Sequence, residues 1–332
     1  MFSKHLALVV FSISMLFFNV LSAQITISGN ISDKENGEDL FMANVYVQDH
    51  FISTTANEYG FFSFDIDPEK IKSPTVNIIF SYIGYKADTV TISTSKSQRI
   101  EMSLSVSASQ IKQVEVSAEA SRNEEMVRST QVGAIHMKVS ELKDLPTIAG
   151  EKDVIKTMQL LPGISGGTEG STDFFVRGGD GDQNLVLLDE ATVYNVGHLF
   201  GFFSVFNSDA LKDVTLYKGG FPSNYGGRLS SIMDIKQKEG NQKGWEATGG
   251  IGLISSRLTV EGPLIKDKAS VLLSGRRTYI DQVFKAAGVN IPYYFYDFNW
   301  KLNYKLDDNN RLFYSGYLGD DVLDFEESGS DE

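Results

Sequence analysis

The chain contains no cysteine among its 332 residues, which excludes disulfide scaffolds, cysteine-ligated zinc sites, thiol catalysis and lipid attachment to an N-terminal cysteine. Only four histidines occur, and none has the glutamate spacing of the zinc-protease helix. Lys and Arg number 30 against 43 Asp and Glu, and the resulting net charge of −13 argues against neutralisation of nucleic-acid phosphates. We therefore expect no metal, no cofactor and no nucleic-acid partner.

Proline is also scarce, with 7 residues, whereas glycine reaches 30 residues and aromatic residues 11%. This combination favours β structure. After residue 23 the sequence has no run of about 18 apolar residues, so we expect no transmembrane helix there. Within residues 1–23, Lys4 is followed by an apolar run and then by the small residues Ser22-Ala23. This is the organisation of a secretory signal peptide that is cleaved after Ala23. A membrane anchor is the alternative.

Residues 24–106 consist of short β-forming runs separated by turn residues every ~8–12 positions, which predicts a small β-sandwich. The segments ISGNISD, LFMANVYV, TTANEYGFFSFDI and FSYIGY resemble the carboxypeptidase-regulatory-like domain. The resemblance implies a transthyretin-like or immunoglobulin-like fold that connects or stabilises and has no catalytic residue.

Residues 122–240 mix helical and strand patterns. Apolar residues at helical spacing over 151–161, followed by Pro162, predict a helix. The run at 174–179 predicts a strand that leads into a glycine turn, and the run at 185–189 predicts another strand, while 210–217 has both helical and strand character. A mixed α/β domain is therefore expected.

Two motifs in this region suggest other functions. The G-x-S-x-G pattern around Ser165 is that of the hydrolase nucleophile elbow, but a helix and a proline precede it instead of the required strand. Asp180, Asp182 and Asn184 begin like a calcium loop, yet Leu185 and Ala191 stand where that loop needs glycine and glutamate. We therefore expect neither site, and no enzyme.

The ordered segments DVIKTMQLLPGISG, FFVRGGDGDQNLVLLDEATVYN and HLFGFFSVFNSDALKDVTLYKGGFPSNYGGRLSSIMDI resemble the plug domain of TonB-dependent outer-membrane receptors. The variety with a regulatory-like N-terminal module, typical of Bacteroidetes-type bacteria, is the most similar. The motif residues are Arg177, Gly178, Gly179, Asp189, Gly219, Gly220, Gly226, Gly227 and Arg228. For Arg177 and Arg228, contacts with carboxylates of a surrounding wall and pairing inside the plug are the two alternatives.

The resemblance implies a receptor in the outer membrane of a Gram-negative bacterium, with its N-terminal domain in the periplasm. It would bind a small nutrient outside and import it with energy transmitted by TonB. In such receptors a TonB box lies between the N-terminal module and the plug, and the linker 107–121 occupies that place. The box residues are Val114, Glu115, Val116, Ser117 and Ala118. The plug segments do not show the pattern of the SusC-like glycan importers, so a lipoprotein partner such as those importers have is not expected.

Nutrient contact is expected from the outer loops of the plug. The candidate residues are Tyr194, Asn195, His198, Phe200 and Phe203. The alternative for these aromatic residues is packing inside the lumen of the receptor.

Residues 241–332 alternate between apolar and polar positions, most clearly over 293–306. One apolar face with aromatic residues near both ends is typical of a strand in contact with outer-membrane lipid. The expected strands are 244–252, 254–262, 269–278, 293–306 and 311–323. They are connected by short turns at 263–268 and 307–310 and a longer loop at 279–292.

The sequence as a whole thus predicts a mainly β chain: a sandwich, a mixed α/β plug domain and the first ~5 antiparallel strands of a transmembrane barrel. Five strands cannot close a barrel, and open sheet edges are not tolerated in lipid. We therefore expect a fragment or a truncated reading frame. The alternative function is a secreted or surface β-rich adhesion or scaffold protein, in which the sandwich binds.

Overall fold

The computed structural model forms two compact units, the N-terminal sandwich and the rest of the described chain. The mainly β fold class predicted from the sequence is confirmed. The described residues are 24–67, 70–71, 73–107, 133–139, 152–168, 171–198, 201–286, 288–289 and 293–323. The predicted signal peptide, the TonB box and Phe200 lie outside these ranges.

Seven strands build the N-terminal unit. They are β1 Ile25–Asp33, β2 Asn44–Val47, β3 Ser53–Thr55, β4 Phe61–Ile66, β5 Thr75–Ser81, β6 Asp88–Ser93 and β7 Gln98–Leu104. They form two sheets, ordered β4-β1-β7 and β3-β2-β5-β6, and only β1 and β7 pair in parallel. Buried and half-buried residues alternate along all of β1, as the sandwich prediction requires.

One apolar core lies between these two sheets. Ile27, Ile31, Phe62 and Phe80 are fully buried in it. The rings of Phe62 and Phe80 meet edge to face with centroids 5.5 Å apart. Because burial of each such side chain contributes about 1.5–3 kcal/mol, the core supplies most of the sandwich's stability.

The turn Asn57–Gly60 before β4 has a strict glycine requirement. Asn57 Oδ1 accepts hydrogen bonds from the backbone N–H groups of Tyr59 and Phe61, both at 3.0 Å. Gly60 has φ +68°, and a Cβ there would lie 2.6 Å from the carbonyl oxygen of Ile31. Another residue at this position is therefore excluded both by its backbone conformation and by space.

The second unit begins with a mixed α/β part, here called the central region (described residues of 133–242). Its main sheet has the order β12-β11-β16-β15-β8, and only β11 and β16 pair in parallel. The elements are β8 Ala134–Lys138, α1 Val154–Gln159, β9 Ile164–Gly166, β10 Phe174–Val176, a 3-10 turn Gly181–Gln183, β11 Asn184–Leu188, β12 Ala191–Thr192, β13 Gly197–His198, β14 Phe203–Ser204, β15 Leu211–Tyr217 and β16 Ser231–Gln237.

Three features of the central region differ from the sequence-based expectation. The helix is shorter than 151–161 because it begins only after Asp153, whose Oδ1 accepts from the N–H of Ile155 at 2.9 Å and of Lys156 at 3.2 Å. The strand β15 occupies a place between β16 and β8, and its near-complete burial explains why its apolar pattern looked ambiguous. The edge strand β8 was not predicted.

The unit ends in five antiparallel strands paired in sequence order, here called the meander sheet. Its elements are β17 Glu246–Ile251, β18 Ser255–Ile265, β19 Ala269–Thr278, α2 Ile280–Ala286, β20 Tyr293–Lys305 and β21 Arg311–Leu323. The strand bounds 269–278 and 311–323 are confirmed. The helix α2 lies where a loop was expected. No helix among the described residues is long and apolar enough to cross a membrane.

The two faces of β20 are divided as the alternation predicts. Its odd-numbered residues from Tyr293 to Asn303 are buried, whereas Tyr296, Phe298 and Leu302 are exposed. The buried face carries Asp297, Asn299, Lys301 and Asn303 and lies against the central region. A polar buried face requires polar partners, and these partners define the site described next.

Candidate functional site

The contact between the central region and the meander sheet is built from buried ion pairs and hydrogen bonds. At one end Lys301 of β20 donates to Oδ1 of Asp189 at 3.0 Å and to the carbonyl oxygen of Gln237 at 3.1 Å. Both charged side chains are only 9% exposed. Asp189 also accepts from the backbone N–H of Gln237 at 3.0 Å, so one carboxylate joins β11, β16 and the meander sheet.

Asp189 occupies this place because of its backbone conformation. It has φ +46° and is followed by Glu190 at φ +71°, so the chain reverses tightly between β11 and β12. Asp and Asn are the non-glycine residues that tolerate this left-handed region best. The motif position predicted from the sequence thus combines a turn requirement with an ion pair that the sequence did not reveal.

A second charged group lies just after β16. Glu239 forms two ion pairs: Nζ of Lys212 lies 3.0 Å from its Oε1, and Nη1 of Arg311 in β21 lies 3.6 Å from its Oε2. Burial alone would raise the pKa of Glu239, but Lys212 and Arg311 outweigh burial and hold the pKa below its usual value. Glu239 is therefore a buried carboxylate that stays ionised.

A third ion pair and a chain of hydroxyl groups continue the contact. Asp209 receives the Nε of Arg257, in β18, at 2.6 Å. Nearby, Asn207 donates to the hydroxyl of Ser274 at 2.9 Å, and that hydroxyl lies 2.6 Å from the hydroxyl of Thr259. The polar face of the meander sheet is thereby hydrogen-bonded along several of its strands.

The charges of these three pairs are distributed by side. The central region supplies the carboxylates Asp189, Asp209 and Glu239, and the meander sheet supplies the cations that meet them across the contact. These cations are Lys301, Arg257 and Arg311. Lys212, the other cation on Glu239, belongs to the central region itself. In one further pair, at 3.4 Å, the arrangement is reversed: the central region supplies the cation Lys238 and the meander sheet supplies the carboxylate Glu261.

Arg177 and Arg228 contribute differently from the wall-contact alternative. The guanidinium of Arg177 lies beside Gly219: a Cβ added to Gly219 would be 3.0 Å from Nη1 of Arg177. Arg177 itself has a left-handed backbone conformation, with φ +51°. Arg228 donates to the carbonyl oxygen of the adjacent Gly227 at 3.1 Å. Both contacts lie within the central region, and among the described residues neither arginine contacts a carboxylate of the meander sheet.

A loop of the central region is attached to the meander sheet through His198. The imidazole is 2% exposed, stacks on Phe295 with ring centroids 4.2 Å apart, and places Nδ1 2.9 Å from Oδ2 of Asp321. Its Nε2 lies 3.2 Å from the hydroxyl of Tyr317 and 3.6 Å from Oδ2 of Asp297. Both ring nitrogens are thus occupied by residues of β20 and β21.

The same loop is fixed a second time at Ser204. Arg276 of β19 donates through Nε and Nη2 to Oδ2 of Asp297, at 2.8 and 2.6 Å, and through Nη2 to the carbonyl oxygen of Ser204 at 2.7 Å. The N–H of Ser204 donates to Oδ2 of Asp153 at 2.8 Å. Asp153 therefore both caps α1 and positions the strand that meets the meander sheet.

The predicted nutrient-contact residues separate into two groups. Tyr194 and Asn195 are exposed and border a cleft of about 330 Å³, together with Gln237 and Tyr317. His198 and Phe203 are buried against β20, in the manner of the packing alternative. Sequence reasoning missed the residues of β19–β21 that hold this loop, because no local pattern links positions so far apart.

The two enzyme-like motifs have structural roles. Ser165 lies within β9 and pairs with Phe175 in β10, so no strand-to-helix elbow forms there. The side chain of Asn184 is buried, donating to the carbonyl oxygen of Phe174 at 2.9 Å and accepting from the Ser231 hydroxyl at 2.6 Å. No group of three acidic or histidine side chains in the described part of the chain could hold a metal ion.

Comparison with protein families decides the nature of the central region. Residues 27–116 match the model of the CarboxypepD_reg-like domain, and residues 137–231 match the model of the TonB-dependent Receptor Plug Domain. The chain carries a TonB-dependent receptor plug domain. Most of the contacts described above therefore join a plug domain to the strands that follow it. No curated protein matches the chain.

Solved structures that are similar to the chain include the following three. The siderophore receptor PirA from Pseudomonas aeruginosa is 12% identical, with a TM-score of 0.42 and coverage of 58% of this chain and 34% of PirA. The copper transporter OprC is 16% identical, with a TM-score of 0.41 and coverage of 58% and 32%. The outer membrane transporter YddB from Escherichia coli is 16% identical, with a TM-score of 0.38 and coverage of 53% and 31%. The chain spans about a third of each.

One carboxylate of the plug region opposes stability instead of supporting it. Burial raises the pKa of Asp213 to about 6, although Lys212, Lys236 and Lys301 act in the opposite direction. Between about pH 4 and 6 the folded protein therefore binds more protons at this position than the unfolded chain does. Stability accordingly falls as the pH rises through this window.

Asp213→Asn should remove this penalty. At pH 7.5 we expect the free energy of unfolding to rise by about 2–3 kcal/mol and its slope between pH 4 and 6 to flatten. The free energy of unfolding and its pH slope are measured by denaturing the protein in detergent, with amide exchange of β15 as the readout. Asp182→Asn, at an exposed carboxylate, is the control. A loss of stability at pH 7.5 in Asp213→Asn would show that attraction to the lysines dominates.

Proposed function

We propose that the chain belongs to an outer-membrane receptor that binds a small nutrient outside the cell and imports it into the periplasm with energy transmitted by TonB. The observation that carries the proposal is the plug domain attached through buried polar contacts to a sheet whose other face is apolar. TonB would pair with the box at 114–118 by strand addition.

The chemistry of the contact supports a plug that can be moved. Ion pairs and hydrogen bonds such as Lys301–Asp189 can be exchanged for water, because both partners are well solvated when they separate. An apolar interface would instead expose hydrocarbon to water at about 25 cal/mol per Å². A polar contact therefore holds the plug domain and still permits its rearrangement.

The TonB prediction is tested by removing a backbone donor from the box. Strand pairing needs N–H groups, so Val116→Pro should weaken binding of the purified periplasmic domain of TonB at least about tenfold, whereas Val116→Thr should not. Binding is measured with the full-length receptor in detergent. Equal affinities for the two variants would contradict strand pairing at this position.

The import proposal is tested in cells with the same variants. We expect compounds that the wild-type strain depletes from its medium to persist in a gene-deletion strain and in Val116→Pro, and to disappear again with Val116→Thr. The depleted compounds identify the nutrient. Recovery of the protein from the medium instead of the outer-membrane fraction would favour the adhesion alternative.

A further inference from the structure

We propose that the outward face of the meander sheet binds a phosphorylated glycolipid of the outer leaflet, with Arg277 on a phosphate group and a groove beside it on an acyl chain. The outward face is the one that carries the exposed Tyr296, Phe298 and Leu302. Lipid A, which has phosphate groups on its sugars and several acyl chains, is a lipid of this chemistry. The proposal rests on the outer-membrane location that belongs to the proposed function, but on neither nutrient import nor TonB.

Arg277 lies where the apolar part of the outward face ends. The register pairs Arg277 of β19 with Ser256 of β18 and with Tyr296 of β20, so the three residues form one row across the sheet. Between this row and the short turns at the other end of the strands, β19 and β20 present only uncharged residues on the outward face. The longest connection of the sheet, 279–292, begins two residues after Arg277. Because long connections of outer-membrane barrels face the cell exterior, the row lies on the side of the outer leaflet.

A groove beside this row offers room for hydrocarbon. It has a volume of about 900 Å³ and lies between the row of Arg277 and the next row toward the middle of the sheet, which contains Leu258 and Gly275. Leu258 and Ile251 border it with apolar side chains that are 58% and 90% exposed. Gly275 leaves the groove open because it has no side chain. Exposed apolar surface of this kind is typical of a membrane contact.

The charge of Arg277 is not compensated by a carboxylate among the described residues. Its guanidinium lies over the ring of Tyr294, at 4.8 Å from the ring centroid. Asp320, the carboxylate of the same row, lies on the far side of Tyr296 and accepts from its hydroxyl at 3.1 Å. On the near side, Ser256 adds a hydroxyl donor directly opposite Arg277. A guanidinium binds two phosphate oxygens at once, so an anion of this type completes the site.

The order of the two features along the strands matches a lipid of the outer leaflet. In such a lipid the phosphate lies toward the cell exterior and the acyl chains lie toward the middle of the bilayer. Arg277 stands at the end of β19 that precedes the long connection, and the groove extends from it toward the middle of the sheet. A lipid of the inner leaflet would have the reverse order, and free phosphate would leave the groove empty.

Binding of labelled lipid A to the full-length receptor in detergent tests the proposal. We expect Arg277→Met to raise the dissociation constant at least about tenfold, the effect of one lost charge-assisted contact, and Arg277→Lys to recover part of the affinity. Lys268→Met is the matched control, because Lys268 also lies over a tyrosine ring, that of Tyr304 at 5.4 Å, but at the opposite end of the strands. It should bind like the wild type. Equal dissociation constants for Arg277→Met and Lys268→Met would overturn the role of Arg277.

Gly275→Leu tests the groove separately from the charge. A Cβ at Gly275 would lie 3.8 Å from the nearest atom of Phe298, which is an ordinary contact, so the variant should fold. Unchanged amide protection of β19 checks this. The leucine side chain fills the groove and should weaken binding about four- to fifteenfold, the effect of one or two CH₂ groups that stay outside it. Unchanged affinity in a folded variant would show that no acyl chain lies there.

Competing compounds identify the source of the phosphate. Dephosphorylated lipid A and inorganic phosphate should each displace the labelled lipid at least about tenfold more weakly than lipid A does. Equal displacement by phosphatidylglycerol would show that any anionic lipid binds and would overturn the assignment to the outer leaflet. Because neither TonB nor a nutrient is present, failure of the import proposal leaves these results unaffected.

Discussion

Lys301→Met should loosen the plug region. Among single substitutions that break an ion pair of Asp189, Asp209 or Glu239, we expect this one to have the largest effect. The substitution leaves Asp189 buried with only the donors of Gln237, and it also removes a cation that acts on Asp213 and Glu239. Breaking a buried ion pair by deleting one partner costs about 3–5 kcal/mol. We therefore expect amide exchange at the end of β16 to accelerate at least about a hundredfold.

Asp189→Asn should have a smaller effect. The amide oxygen still accepts from the N–H of Gln237, asparagine tolerates the left-handed conformation, and Lys301 keeps the nearby carboxylates Asp213 and Glu239. A cost of about 2 kcal/mol is therefore expected, within the range for a charged hydrogen bond. The double variant should be less destabilised than the sum of the two single variants, since the pair interaction is lost only once.

Lys305→Met is the matched control. It makes the same substitution in the same strand, but Lys305 is 33% exposed and pairs with Asp308, whose side chain is 80% exposed. Such a surface pair contributes at most about 1 kcal/mol. If Lys301→Met accelerated exchange no more than Lys305→Met, the buried pair would not be what holds β16 against the meander sheet.

The meander sheet shows how much of the fold can be predicted from the sequence alone. A strand between an apolar and a polar environment must alternate with period two, so the two faces of β20 could be assigned from Tyr293 to Lys305 without a structure. The partners on its polar face could not be assigned, because Lys301 and Asp189 are 112 residues apart. Local patterns indicate which way a side chain points but not what it meets.

The central region was less predictable for a related reason. The edge strand β8 shows half-buried residues throughout, without the alternation that identifies a strand. His198 and Phe203 were selected as aromatic residues in a loop, and only their burial distinguishes them from the exposed Tyr194. Recognition of the domain came from the order of short motifs, whereas the role of each residue depends on contacts across elements.

Arg276→Met should detach the β14 end of the plug loop. Arg276 is 4% exposed and donates to Asp297 through two nitrogens and to the carbonyl oxygen of Ser204. Without it, the fully buried carboxylate of Asp297 retains only His198, at 3.6 Å, because its Oδ1 has no hydrogen-bond partner among the described residues. We expect a cost of about 3–5 kcal/mol, measured by amide exchange of Ser204 and Val205.

Two further variants separate the buried charge from the lost side-chain volume. Arg277→Met changes the neighbouring arginine, which is exposed on the opposite face over the ring of Tyr294 at 4.8 Å, and should cost no more than about 1 kcal/mol. Arg276→Met combined with Asp297→Asn removes both charges and should recover part of the lost protection. If the double variant were as unprotected as Arg276→Met alone, the uncompensated carboxylate would not be the cause, and the lost hydrogen bond to Ser204 would account for the whole effect.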